Sequence, residues 1–318
     1  MKILFITFGN PDYLSGALLH GLCTLKDTQV YITRNLWFMY KGNDLKNLKK
    51  IYGKGFSYAN RIPKDKKKLL NSDETIQKIK THFFDVIIYA NPMYCLDFLD
   101  IVKKEYDHNR IVFLDGGDYD FNLTYMSKAG NKVLYFNPFE MAQLYKFAKK
   151  LTQIGIVFKR ELRKKDRNIM YPISFAIPEE NIVNKVPKKQ KKTATIIPGD
   201  TSTYIFDEEE AYFKDYRISM WGYTCKKAGW DCLRHYEILA NGCIPYFYDI
   251  DKCPETILVN FPKEMIKKTN KLYENSGDIS LKEYNDNANE LLEFTRKNLT
   301  THVMAKYVLN KIGIEVRE

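Results

Sequence analysis

Residues 224–250 read TCKKAGWDCLRHYEILANGCIPYFYDI, and the fold turns on how this stretch divides. Wound at about 100° per residue, Cys232, Leu233, Tyr236, Leu239 and Ala240 share one apolar arc roughly 120° wide. Trp230, Arg234, Glu237 and Asn241 gather within about 60° of one another on the other side. Gly242 follows, where a left-handed C-terminal cap takes a glycine. Residues 243–248 then run apolar and aromatic around Pro245, which suits a short buried strand. The spacing predicts a helix packed on a sheet, with its arginine, glutamate and asparagine facing outward. Lys226-Lys227-Ala228-Gly229 lies ahead of it as a basic loop. Free backbone N–H groups and the positive end of a helix dipole suit such a place to a phosphate.

The run from Arg234 to Pro245, RHYEILANGCIP, resembles the donor-binding motif of GT-B glycosyltransferases. It is most similar to the R-x-x-E-x-x-x-x-G-C-x-P form of exostosin-like and CgeB-like families. The resemblance implies an α/β fold of two Rossmann-like domains facing a cleft. It implies that Glu237 binds the ribose hydroxyls of a nucleotide-sugar, while Lys226, Lys227 and the catalytic Arg234 hold its diphosphate. Trp230 and Asn241 join them as substrate-binding candidates. The implied chemistry needs no metal, and no cofactor beyond the nucleotide-sugar donor, which is a substrate. Many retaining members carry a second glutamate eight residues before the first; here that position is Gly229.

At 318 residues the chain has room for two domains, each with its own core. An apolar content of 45% with 14% aromatics is that of a folded protein, not a disordered one. Nothing in the sequence reads as a transmembrane span, and MKILFITFGN reads as a first strand, not a signal peptide. The six cysteines lack Cys-x-x-Cys spacing. They read as buried, reduced thiols, with zinc binding the lesser alternative, and a cytoplasmic location is expected. The formal charge of +11 concentrates in lysine clusters at 64–68, 149–165 and 185–192. These read first as a solvated surface, and they leave nucleic acid or another anion open as a partner.

In chain order, strand 3–7, a turn through Gly9, Asn10 and Asp12, and a helix over 15–25 capped by Ser15 open a Rossmann-like unit. No G-x-G-x-x-G follows, so a dinucleotide fingerprint is absent. In the GT-B resemblance the loop holding Gly9, Asn10 and Asp12 faces the cleft. Strands are expected at 28–33, 84–89, 110–114, 131–135 and 154–158, and helices at 71–82, 94–106 and 140–151. Residues 36–63 form an insertion suited to shaping an acceptor pocket. Asp115-Gly116-Gly117-Asp118 ends a strand where α/β sheets hold ligands, which makes Asp118 the first candidate for a general base. Arg160 reads as a surface partner of Glu161.

Pro172, Pro178 and Pro187 mark a loose connection. The expected division is an acceptor domain over 1–178 and a nucleotide-sugar-binding domain over 179–318. The second half should hold strands at 194–198, 220–224 and 258–261, and helices at 208–217 (capped by Asp207), 262–273 and 281–311. Its last segment, 301–312, is expected to cross back to the first domain. The function so read is sugar transfer from a nucleotide-sugar to a hydroxyl of a glycan or another acceptor. The alternatives are a glycosyltransferase acting on hydroxylated bases in DNA and a non-catalytic nucleotide-sugar-binding protein.

Overall fold

The computed structural model describes residues 1–121, 126–129, 132–135, 137–275 and 279–316. Its strands are β1 (Lys2–Ile6), β2 (Gln29–Ile32), β3 (Lys68–Leu69), β4 (Val86–Tyr89), β5 (Ile111–Asp115), β6 (Met126–Ala129), β7 (Lys132–Tyr135), β8 (Ile156–Lys159), β9 (Tyr171–Pro172), β10 (Lys191–Thr193), β11 (Ser219–Thr224) and β12 (Ile244–Phe247). Its helices are α1 (Tyr13–Thr24), α2 (Leu45–Leu48), α3 (Ser72–Lys80), α4 (Leu99–Glu105), α5 (Pro138–Leu151), α6 (Glu209–Ile218), α7 (Leu233–Ala240), α8 (Lys263–Glu274), α9 (Leu281–Asn298) and α10 (Thr301–Lys311).

β4, and β5 up to its terminal Asp115, are apolar without alternation, and both are buried at every position, as strands covered on both faces must be. They lie in a seven-stranded sheet of order β3-β2-β1-β4-β5-β8-β9. Every pairing in it is parallel. With its flanking helices this is a Rossmann-like α/β arrangement. The strand order reverses between β1 and β4, and α/β sheets hold ligands beyond the carboxyl ends of strands at such a reversal. A second, three-stranded parallel sheet has the order β10-β11-β12. One continuous cluster of buried apolar side chains runs from Ile3 and Leu18 through Tyr58 to Tyr236, Leu291 and Val308.

α10 packs on α1. Gly21 of α1 sits so close to α10 that a β-carbon there would fall 2.0 Å from the Thr301 carbonyl oxygen. Only glycine permits that approach. Buried His20 bonds Thr301 Oγ1 through Nδ1 at 2.7 Å, in the same crossing.

Several expected boundaries shift for local reasons. Asp12, not Ser15, caps α1: its carboxylate accepts from the Ser15 N–H at 2.7 Å. Asn71 caps α3 in a reciprocal box with Glu74, and Glu208 stands at the α6 cap in place of Asp207. α4 starts only at Leu99, because Phe98 before it has a left-handed φ of 63°. The strand expected at 194–198 lies earlier, at β10. Asp215 captures both the N–H and the hydroxyl of Thr195, at 2.7 and 2.8 Å, and ends the ladder. Residues 258–261 form a turn, not a strand: Leu258 has φ 53°, and the Phe261 N–H bonds the Leu258 carbonyl at 3.0 Å. The strand expected over 131–135 is β7 from Lys132; Asn131 lies outside the described residues. Among the described residues no helix is long and apolar enough to cross a membrane.

Candidate functional site

A cleft of about 730 Å³ opens where the carboxyl ends of the two sheets meet. The large sheet supplies Asp12 after β1, Gly116 and Asp118 after β5, and Arg160 after β8. The small sheet supplies Lys227 and Gly229 after β11, then Arg234 and Glu237 from α7. The insertion between β2 and β3 closes a third side with Lys49, Ile51, Lys54 and Phe56.

α7 forms as its periodicity requires, and Gly242 ends it with φ 62°. The face expected to point outward is nevertheless covered. Glu237 is buried: Oε1 accepts from the Ser57 hydroxyl at 2.6 Å and Oε2 from the Tyr212 hydroxyl at 2.7 Å. Burial pushes its carboxyl upward, while those two hydroxyls and then Arg234 oppose the rise. Among the described ion pairs none joins Arg234 to Glu237. Asn241 is fully buried as the C-terminal cap residue, accepting from Arg217 Nε at 2.9 Å and donating to the Glu237 carbonyl at 2.8 Å.

Arg234 is the anomaly of the site. Its Nε and Nη1 are buried and find no hydrogen-bond partner among the described residues. Tyr204 lies beside it, with the guanidinium 5.6 Å from the ring centroid, and Lys227 Nζ lies 5.5 Å from the same ring. Burial works upward on the Tyr204 phenol, but the Gly199 N–H, Arg234 and Lys227 together bring it below its ordinary value. Cys232 occupies the N-cap of α7 and makes no side-chain cap bond, so the dipole end is not closed by a local carboxylate.

Across the cleft, Arg160 is buried and fully engaged rather than a surface residue. Nε donates to the Gly116 carbonyl at 3.1 Å and Nη1 to Glu161 at 3.2 Å, with further bonds to the Asp231 carbonyl and to Asp118. Phe175 stacks under it at 4.7 Å. Glu161 in turn accepts from the Asp231 N–H at 3.0 Å. Asp231 is itself buried, accepting from the Phe175 N–H at 2.7 Å and the Tyr236 hydroxyl at 2.9 Å. Burial pushes its carboxyl up to about 7 despite the pull of Arg160. A β-carbon on Gly229 would lie 2.5 Å from Glu161 Oε1, so no glutamate fits at that position while Glu161 keeps its place.

Of the residues singled out in the sequence, Asp12, Asp118, Lys227, Arg234 and Glu237 meet at the cleft. Gly9, Asn10, Lys226, Trp230 and Asn241 are not among its lining. Gly9 packs near Arg34, Asn10 is exposed, and the Lys226 N–H is held by Asp249 at 3.2 Å, its ammonium lying 5.5 Å from the Trp230 ring. Lys54, Phe56, Tyr204, Tyr212 and Asp231 line the cleft without having been singled out. The closely spaced glycines of Tyr52-Gly53-Lys54-Gly55 were a local hint, since glycine permits the left-handed backbone that both adopt, with φ 63° and 72°. Among the described residues no group of three or more His, Cys, Asp or Glu is arranged to hold a metal.

No protein-family model matches the chain, and no curated protein does.

Proposed function

We propose that this chain is a glycosyltransferase that moves a sugar from a nucleotide-sugar donor to an acceptor hydroxyl. The observation that carries the proposal is Arg234: two buried guanidinium nitrogens without partners among the described residues, at a helix N-terminus with no side-chain cap, on a cleft shared with Lys227 and Glu237. A buried charge left unpaired is costly, so the site fits an anionic ligand that supplies the missing acceptors. A diphosphate does so, and as it departs the same cations offset the charge that grows on it. Glu237, inside the cleft wall, is the carboxylate for the ribose hydroxyls. Asp12 and Asp118 stand on the acceptor side. Asp118 is already paired with Arg160, whereas one Asp12 oxygen takes both bonds from Ser15 and the other lies beside Gly116. Burial also raises the Asp12 carboxyl, which favours it as the group that accepts the acceptor proton.

The test is calorimetry with ADP, GDP, UDP and CDP against wild type and Glu237→Gln. Alanine here would strand two hydroxyls, whereas glutamine keeps partners for both and removes only the charge. The variant should fold normally and bind its preferred nucleoside diphosphate at least about tenfold more weakly, the equivalent of about 1.4 kcal/mol. Equal affinity in two well-folded proteins would sink the reading.

A further inference from the structure

We infer that Ser57, carried on the insertion between β2 and β3, is a positioning residue of the nucleotide subsite, fixing the Glu237 carboxylate against the ribose of a nucleoside diphosphate. The inference rests on the nucleotide-sugar reading above and extends it to a segment that reads from sequence as part of an acceptor pocket.

Three observations converge. Ser57 has φ 73°, a left-handed conformation that a residue with a β-carbon adopts only when its surroundings hold it there. Every polar group of Ser57 is bound by residues distant in sequence. Its N–H donates to Glu209 at 2.5 Å, its carbonyl accepts from Asn181 at 3.0 Å, and its hydroxyl donates to Glu237. The flanking residues clasp the same region: Lys54 Nζ bonds Asp207 at 2.6 Å, Arg61 pairs with Glu209 at 2.6 Å, and Phe56 stacks on Tyr212 at 5.4 Å. The insertion is thus built onto α6 and α7, and its buried serine hydroxyl is spent on one carboxylate oxygen.

That use of a hydroxyl has a defined effect. Each carboxylate oxygen has two acceptor sites, so Ser57 and Tyr212 take one apiece and leave the others for ligand hydroxyls. They also favour the ionised form against burial. The groups facing Glu237 are Arg234 on its own helix, Glu209, Tyr212 and Tyr216 on α6, and Tyr58 on the insertion. Burial holds the three phenols far above neutral pH, so Arg234 and Glu209 are the charged neighbours, and Glu209 is already paired with Arg61.

Ser57→Gly is the informative variant, because glycine adopts the left-handed backbone without strain while the hydroxyl is lost. Affinity for the preferred nucleoside diphosphate is measured in the full chain across the whole pH range in which it stays folded. Wild-type binding should weaken as pH falls and Glu237 gains its proton. In Ser57→Gly the midpoint should move up by about one pH unit, the equivalent of one hydrogen bond to a charged group. In a Glu237→Gln background the same substitution should shift nothing. An unchanged midpoint, or a pH-independent loss that persists beside Glu237→Gln, overturns the inference and leaves the donor reading standing. Wild type that binds none of ADP, GDP, UDP or CDP overturns both. Should Ser57→Gly not fold, Tyr212→Phe removes the other hydroxyl and must move the midpoint in the same direction.

Discussion

The two walls of the cleft each carry an arginine, one buried and one half-buried, and the two are in opposite states. Arg160, on the large-sheet wall, meets a carbonyl or a carboxylate at every nitrogen and lies over the Phe175 ring. Arg234, on the α7 wall, leaves two nitrogens unanswered by the described residues. The first is a structural joint that ties β5 and β8 to the loop before α7. The second is a charge that the fold has placed but not satisfied. The α-helix ends repeat the contrast, since Asp12 caps α1 with its own carboxylate and Cys232 contributes no side-chain bond to α7. An anion entering the cleft therefore finds one wall closed and the other open.

The comparison breaks first at Arg160. Arg160→Ala should cost about 3–5 kcal/mol in urea unfolding, because Glu161 and Asp118 lose their cation while the Glu161 carboxylate stays buried. A loss below about 1 kcal/mol would mean the network is ornamental. Arg234→Met sharpens it from the other side. Stability should stay level or rise, since a half-buried guanidinium with two unanswered nitrogens is replaced by an apolar chain of similar length. Nucleoside diphosphate affinity should fall by about 10- to 100-fold on the loss of charge-assisted bonds. A variant that unfolds but binds normally when folded would reverse the two roles.

The effect that depends on pH, and is the smallest per pH unit, concerns Asp231, which Arg160 and Glu161 hold in place. Its carboxyl sits at about 7 in the folded protein against 3.8 for the free side chain, so the native state binds this proton more tightly than the unfolded chain. Stability from this group is full below pH ~4 and declines as pH rises through about 7. Asp231→Asn removes that decline. Its advantage over wild type should grow by at most about 1.4 kcal/mol per pH unit between those limits and level off above them. A constant difference across the range would show that Asp231 is charged throughout.

Much of the large sheet is legible in the sequence. β4, β5 and β8 are short, mainly apolar runs too brief for a helix, and such runs suit strands buried on both faces. α7 and its glycine cap are legible for the same reason: one arc is apolar, and helical periodicity reports it. That periodicity reports only the face toward the sheet. Glu237 looks outward on a helical wheel because the covering residues, Ser57 and Tyr212, come from segments 180 and 25 residues away. The role of the insertion is hidden for the same reason. Lys54, Ser57 and Arg61 show no period, and their meaning lies in partners at 207, 237 and 209. Arg160 and Glu161 are adjacent and opposite in charge, which on a surface would be a weak pair. Only the burial supplied by Phe175 and the Asp231 loop makes them a joint.

The crossing of α1 and α10 sets a clock. A chain grows at about 5–20 residues per second, so Gly21 waits roughly 15–60 s before Thr301, the neighbour that fills its missing side chain, has been made. For that interval the groove at Gly21 lacks the helix that fills it. The oldest helix of the molecule is thus among the last to be finished, and a closure between parts so distant in sequence is slow to form even once both are present.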